Sequence, residues 1–318
     1  MEIVYNGKPA TVTIKETMSK IIPQICEKDP KAFYLDADLM SCLGMINWSR
    51  EHPQQSVDCG VAEANMVGIA VGLAAEGFRP IVHSFGPFIS RRAFDQMFIS
   101  AAYAHYSLTV LGSDPGVTAE FNGGTHMPFE DVALYSVIPG STVIDVCDHV
   151  MMKKILPQCI DMPGIKYIRF GRKAYPQIYS EDTEFEIGKA KVLREGTEVT
   201  LLVTGFMTAD ALEAAKTLEE KGISAAVVNL FTIKPIDREA IVHFARRTGA
   251  VITVENHNYI GGLYSIVASV LAKECPVKMD YVAVDDHFGD VGPIGYLKTK
   301  FGLTKDSIVE KTLALLNR

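Results

Sequence analysis

Short apolar, β-branched or aromatic runs that stop at polar residues alternate with helix-patterned stretches along most of the chain. Parallel strands need long, usually helical, crossovers, so this alternation commits the fold to α/β with a mostly parallel sheet. Residues 14–26 read as a helix, and residues 31–38 (K-A-F-Y-L-D-A-D) as a buried strand ending in two aspartates. Further strands are predicted at 80–85, 108–112, near 142–146 and near 166–170, with a helix from about 92 to 103. Residues 175–186 are turn-like and acidic. A second series follows, with strands at 199–205, 225–230, 251–255 and 281–284 and helices at 208–221, 262–273 and 305–316. The expectation is two doubly wound domains, at residues 1–180 and 187–318. With 48% hydrophobic residues in 318, the chain can bury a core in each.

Composition narrows the function classes. The net charge of −7 comes with no basic stripe, which argues against nucleic acid as a partner. Six cysteines are scattered without a C-x-x-C pair, so neither a zinc site nor a disulfide framework is expected, and a reducing cytoplasm fits. The first residues lack a basic segment followed by an apolar run, and the apolar stretch 67–75 is too short to span a bilayer. Neither secretion nor membrane insertion is expected.

Within residues 56–77 (S-V-D-C-G-V-A-E-A-N-M-V-G-I-A-V-G-L-A-A-E-G) a helix of small residues is expected from Ala62 onward, with the carboxylate of Glu63 in its first turn. Each glycine costs helix propensity, about 1 kcal/mol relative to alanine, so packing must hold such a helix, and its slim surface suits a tight interface. A first-turn glutamate ordinarily faces water and interacts with the helix dipole. Here Val61, Met66, Val67 and Ile69 surround it, which favours a partly desolvated carboxyl able to hold or share a proton.

Three other segments place polar or aromatic residues just after strands, where α/β sheets bind ligands. In H-S-F-G-P-F-I-S-R-R-A-F-D-Q, residues 83–96, Phe85 and Phe88 flank a Gly-Pro turn and either pack the loop or wall a flat ring. Residues 112–131 are long and irregular and carry Asp114, Asn122 and His126, with glycines at 116, 123 and 124 that would let backbone approach a ligand. A lone histidine is more often structural. Arg169 and Arg172, in Y-I-R-F-G-R-K, would clamp an anion or make surface pairs.

These segments, together with A-E-A-N-M-V-G-I-A-V-G-L-A, G-G-T-H-M-P-F-E-D and F-T-I-K-P-I-D, resemble the C-terminal half of transketolase in order over almost the whole chain. The resemblance implies a thiamine diphosphate-binding pyrimidine-type domain followed by a transketolase C-terminal-type α/β domain, with two-carbon ketol transfer from a ketose to an aldose. It makes Glu63 the residue that shares a proton with the aminopyrimidine, and His126 a catalytic neighbour of cofactor and donor. Phe85, Phe88 and Asp38 join His126 as cofactor-binding residues, and Arg172 meets the anionic tail of the sugar. The G-D-G motif and distant Asn that bind diphosphate and Mg²⁺ are absent, since Gly289 to Val291 reads G-D-V. An N-terminal partner subunit would supply them in an α2β2 heterotetramer, and this chain itself would hold no metal.

Several positions depart from the family pattern. Asp114 stands where a phosphate-contacting histidine is common, Asn122 where an aspartate reads a ketose hydroxyl, and Ser41 or Cys42 in the region of a phosphate-binding serine. A carboxylate near a phosphate dianion is repulsive, which opens the substrate to a modified, sulfonated or unphosphorylated ketose. The competing expectations are the beta subunit of a 2-oxo acid dehydrogenase E1 component and a cofactor-free scaffold of the same fold. In the second half, Gly261-Gly262 reads as a turn into a helix, and His257 as local packing or interface.

Overall fold

A computed structural model describes residues 3–318, so the first two residues of the expected 1–180 unit lie outside it. The strands in chain order are β1 (Ala32–Asp36), β2 (Ser56–Asp58), β3 (Arg79–Phe85), β4 (Leu108–Ser113), β5 (Thr142–Asp145), β6 (Ile165–Phe170), β7 (Lys191–Arg194), β8 (Val199–Val203), β9 (Ala225–Asn229), β10 (Thr232–Lys234), β11 (Ala250–Asn258) and β12 (Lys278–Val284). A seven-stranded sheet runs β10-β5-β6-β4-β3-β1-β2 and a five-stranded sheet β12-β11-β8-β9-β7. Pairing is parallel except for β10 on β5 and β7 on β9. The fold is therefore α/β and mostly parallel, with two sheets covered by helices. One strand crosses the expected division: β10 belongs in sequence to the second half but pairs with the first sheet.

The seven-stranded sheet positions the site. Neighbours β6, β4, β3 and β1 are parallel, so their C-terminal ends share one edge. Arg172, Asp114, Phe85 and Asp38, which sit at or just after those ends, follow that spatial order. Just inside the edge, buried side chains tie the strands together. His83 Nδ1 lies 2.7 Å from Asp36 Oδ2 and its Nε2 lies 3.0 Å from Ser113 Oγ, while the Tyr34 hydroxyl donates to Asp36. This Ser–His–Asp chain is fully buried, so it braces the edge and does not meet substrate.

Two differences from the sequence reading concern the same loops. The helix expected at 92–103 begins at Phe88 and is wound as π-helix over Phe88–Arg92 and Gln96–Tyr103. Two of the three glycines expected to admit a ligand, Gly116 and Gly124, admit the second half of the chain instead: a Cβ on Gly116 would lie 2.2 Å from the Asn256 side chain, and one on Gly124 would lie 2.4 Å from the Gly289 carbonyl. The long loop is thereby pinned as two short 3₁₀ turns, Gly116–Asn122 and Gly124–His126.

Arg169 corrects the reading of an anion clamp or surface pair. Its side chain is buried, donating from Nε to Asp131 Oδ2 at 2.9 Å, from Nη1 to Asp145 Oδ2 at 3.0 Å and from Nη2 to the Asn256 carbonyl at 3.1 Å. Asp131 also accepts from Tyr167 Oη at 2.7 Å. Burial lowers and the two carboxylates raise the Arg169 value, with a net upward shift that keeps it charged. His257 is packed against this knot, its Nε2 3.9 Å from Asp131 Oδ1. Glu255 occupies the start of the helix after Gly262, accepting from the Leu263 and Tyr264 amides, so that turn holds a side chain and not an anion. Among the described residues no helix is long and apolar enough to cross a membrane, and all six cysteines are free.

Candidate active site

Glu63 opens the helix Glu63–Ala75, which packs Met66, Val67 and Ala70 against the first sheet. The same helix leaves Gly68 and Gly72 with open space around them. Glu63 itself is only 1% exposed. A buried carboxylate without partners costs several kcal/mol, so its contacts are decisive. Ser84 Oγ, from β3, donates to Oε1 at 3.2 Å, and Arg92 Nη1 donates to Oε2 at 2.7 Å from a side chain that is 45% exposed.

From Arg92 an unbroken string of contacts crosses the sheet edge. The Arg92 guanidinium lies 4.3 Å from the Phe88 ring centroid, and Phe88 lies 5.0 Å from the His126 ring. His126 is 5.8 Å from Phe85, and the Arg172 guanidinium lies 5.0 Å from that ring. The string ends on Asp114, whose Oδ2 accepts from Arg172 Nε at 2.8 Å and Nη2 at 2.5 Å, while Oδ1 accepts the Arg172 amide at 3.2 Å. Burial lowers and Asp114 raises the Arg172 value, for a net upward shift.

Local sequence explains these placements. Gly86 lets the loop of His126 close over the aromatic pair, because a Cβ there would lie 2.8 Å from Pro128. The π-winding from Phe88 to Arg92 sets the Arg92 guanidinium over that ring. His126 is oriented by Thr125, whose hydroxyl is 2.9 Å from Nδ1.

The structure thus brings together Glu63, Phe85, Phe88, His126, Arg172 and Asp114. Asp38 is exposed at the same edge, with φ +61° and its amide donating to Asp58. Ser41, in the short helix Met40–Leu43, and Asn122, at the end of the first 3₁₀ turn, are exposed, and neither side chain hydrogen-bonds to the string; Cys42, not Ser41, is close enough to raise the Arg172 value. Sequence reasoning missed Arg92 and Ser84 as partners of Glu63. No local signal marks a pair separated by 29 and 21 positions.

A buried carboxyl beside two aromatic rings, Phe85 buried and Phe88 partly exposed, suits a flat nitrogen heterocycle, because the carboxyl can share a ring proton while the rings cover its faces. The cation at the far end suits a ligand that is anionic there. Among the described residues no group of three or more His, Cys, Asp or Glu is placed to hold a metal ion.

Comparison with known proteins agrees with this geometry. Residues 10–177 match the model for the transketolase pyrimidine binding domain, and residues 188–308 that for the transketolase C-terminal domain. The chain is 47% identical over 296 residues to a 6-deoxy-6-sulfo-D-fructose transketolase subunit of Clostridium sp. (strain MSTE9), covering 93% of this chain and 92% of that one. It is 32% identical over 308 residues to an apulose-4-phosphate transketolase subunit of Phocaeicola vulgatus, covering 96% and 98% respectively. A solved structure described as a split gene transketolase, inactive beta4 tetramer, superposes with a TM-score of 0.88 at 36% identity, covering 97% of this chain and 99% of that one. The matched models and these relatives are transketolases, which sets aside the 2-oxo acid dehydrogenase and scaffold expectations.

Proposed function

Because the chain belongs to the transketolase family, as the subunit of a split enzyme that carries the pyrimidine-binding and C-terminal domains, we propose how its residues divide the work of ketol transfer. The observation that supports the division is the continuous string from Glu63 to Arg172 along one sheet edge. The family uses thiamine diphosphate, which when bound supplies the electron sink for breaking and remaking a carbon–carbon bond next to a carbonyl.

In this reading Glu63 shares a proton with the ring nitrogen of the aminopyrimidine. The half-exposed Arg92 would give way there, and the burial of Glu63 would keep water from competing for the proton. Phe85 and Phe88 cover the ring, Asp38 contacts the cofactor from the end of β1, and His126 holds the donor's oxygen atoms beside it. Asn122 and Ser41 reach the sugar from the rim, and Arg172 receives its tail.

The diphosphate and Mg²⁺ are held by an N-terminal partner chain, and two copies of each chain form a heterotetramer in the cytoplasm. The open glycine face of the Glu63 helix is available for that assembly. The units remain residues 1–180 and 187–318, with β10 as the strand exchanged between them. The donor is a ketose sulfonated at its terminal carbon, in line with the 47% identical relative.

Co-purification with the partner, followed by a donor panel with an aldehyde acceptor, tests this. Transfer from 6-deoxy-6-sulfofructose by the complex and none by the isolated chain is expected. Transfer by the chain alone overturns the split site; no transfer from the sulfonated donor overturns the substrate.

A further inference from the structure

We propose that Asp114, supported by Glu120, is the specificity-determining residue that limits the donor's tail to a single negative charge. The inference rests on the reading that Arg172 faces that tail. Arg172 is the cation at the end of the string, yet it is already engaged: one aspartate takes Nε, Nη2 and the backbone amide. A guanidinium has five N–H groups, so three remain for a ligand. Its neighbour Lys173 is also paired, with Glu120. Two cations and two carboxylates leave the corner with no net charge.

A tail phosphate and a tail sulfonate have similar shape and three outer oxygens each, so hydrogen bonding separates them poorly. Charge separates them better. A phosphate monoester carries close to two negative charges at neutral pH, with a second pKa of about 6, whereas a sulfonate carries one throughout. A fixed carboxylate 2.5 Å from the receiving guanidinium therefore repels the phosphate about twice as strongly.

The backbone adds a separate observation. Asp114 and Glu120 are among the few non-glycine residues with positive φ, at +54° and +47°. Such conformations persist only where the surroundings enforce them, and both hold a carboxylate against a cation at this corner. The other titratable groups facing the corner are Tyr175, which burial keeps neutral, and Cys42. His126 and Arg172 both lie against the Phe85 ring, and a contribution from His126 is common to the donors and cancels from their ratio, which leaves the second ionisation of the tail phosphate near pH 6.

The test uses the reconstituted complex with fructose 6-phosphate, 6-deoxy-6-sulfofructose and fructose as donors. Asp114→Asn keeps the side-chain shape and tolerates the left-handed backbone. It should raise the ratio of kcat/KM for phosphate over sulfonate about tenfold, and Glu120→Gln about threefold. In the unmodified complex that ratio should climb as pH falls through about 6, and the climb should shrink in Asp114→Asn. A ratio unmoved by both variants overturns the proposal. If the unmodified complex takes no sulfonated ketose, the substrate reading fails, and the phosphate-to-fructose ratio then decides for Asp114: a rise in the variant supports it and no rise overturns it.

Discussion

Arg169 and Arg172 stand three positions apart at the end of the same strand, each held by aspartate, and they belong to different parts of the molecule. Arg169 spends its donors on Asp131, Asp145 and a carbonyl from the second half of the chain, with no surface exposed. Arg172 spends two side-chain donors on one aspartate and keeps its guanidinium partly open, over an aromatic ring. The difference between a sealed arginine and a receptive one is therefore how many donors remain and whether anything can reach them. Around each lies a region of the same kind: a knot that fixes two sheets together, and a string of partly exposed side chains along the sheet edge.

The largest expected effect sharpens the separation from the string side. Glu63→Gln keeps the shape of the helix start but cannot exchange a proton, so ketol transfer by the complex should fall at least about 1,000-fold. Removing the carboxylate also frees Arg92, whose half-exposed side chain can turn to water, so unfolding of the isolated chain should shift by about 1 kcal/mol or less. Measured turnover and denaturant unfolding on the same variant check both parts. Near-normal transfer would remove Glu63 from the chemistry.

From the knot side the balance should reverse. Arg169→Met leaves Asp131 and Asp145 buried without their cation, a loss of about 3–5 kcal/mol of stability. The same exchange at Arg172 strands only Asp114, which still accepts a backbone amide, so about 1–2 kcal/mol is expected. Equal destabilisation by the two variants would break the distinction between sealed and receptive arginines.

What the sequence revealed and what it hid follow the same line. Glu63 in a helix of small residues, the two phenylalanines round Gly-Pro and the histidine of the glycine loop were legible because each is a local departure from pattern. The strand ends that gather Asp38, Phe85, Asp114 and Arg172 were legible because parallel alternation sends such ends to one edge. The glycines at 116 and 124 and Arg169 were misread, because their partners, Asn256, Gly289 and Asp145, come from distant sequence. Arg92 was missed for the same reason. A pairing across tens of residues depends on sheet order, which local pattern does not encode.

The finest prediction probes the knot through a proton. His257 Nδ1 donates to the Asn258 carbonyl at 2.7 Å, so its Nε2 carries a lone pair facing Asp131 Oδ1, and both atoms lack a hydrogen-bond partner. Burial, with Arg169 opposing Asp131, lowers the His257 value from 6.5 to about 4. The unfolded chain therefore binds more protons between those values. Stability from this residue is complete above pH 6.5 and is lost as pH falls toward 4, by about 2 kcal/mol on reaching pH 5. Glu255, raised from 4.5 to about 8 by burial, works in the opposite direction, because its folded form holds the proton as pH rises through that range. The comparison of unmodified chain with His257→Gln cancels that shared contribution. Denaturant unfolding at pH 5 and 7 should show the difference in stability between the two proteins shifting by about 2 kcal/mol in favour of the variant at the lower pH. An unchanged difference would mean that His257 does not stay neutral in the knot, and that the sealed region admits a charge its geometry argues against.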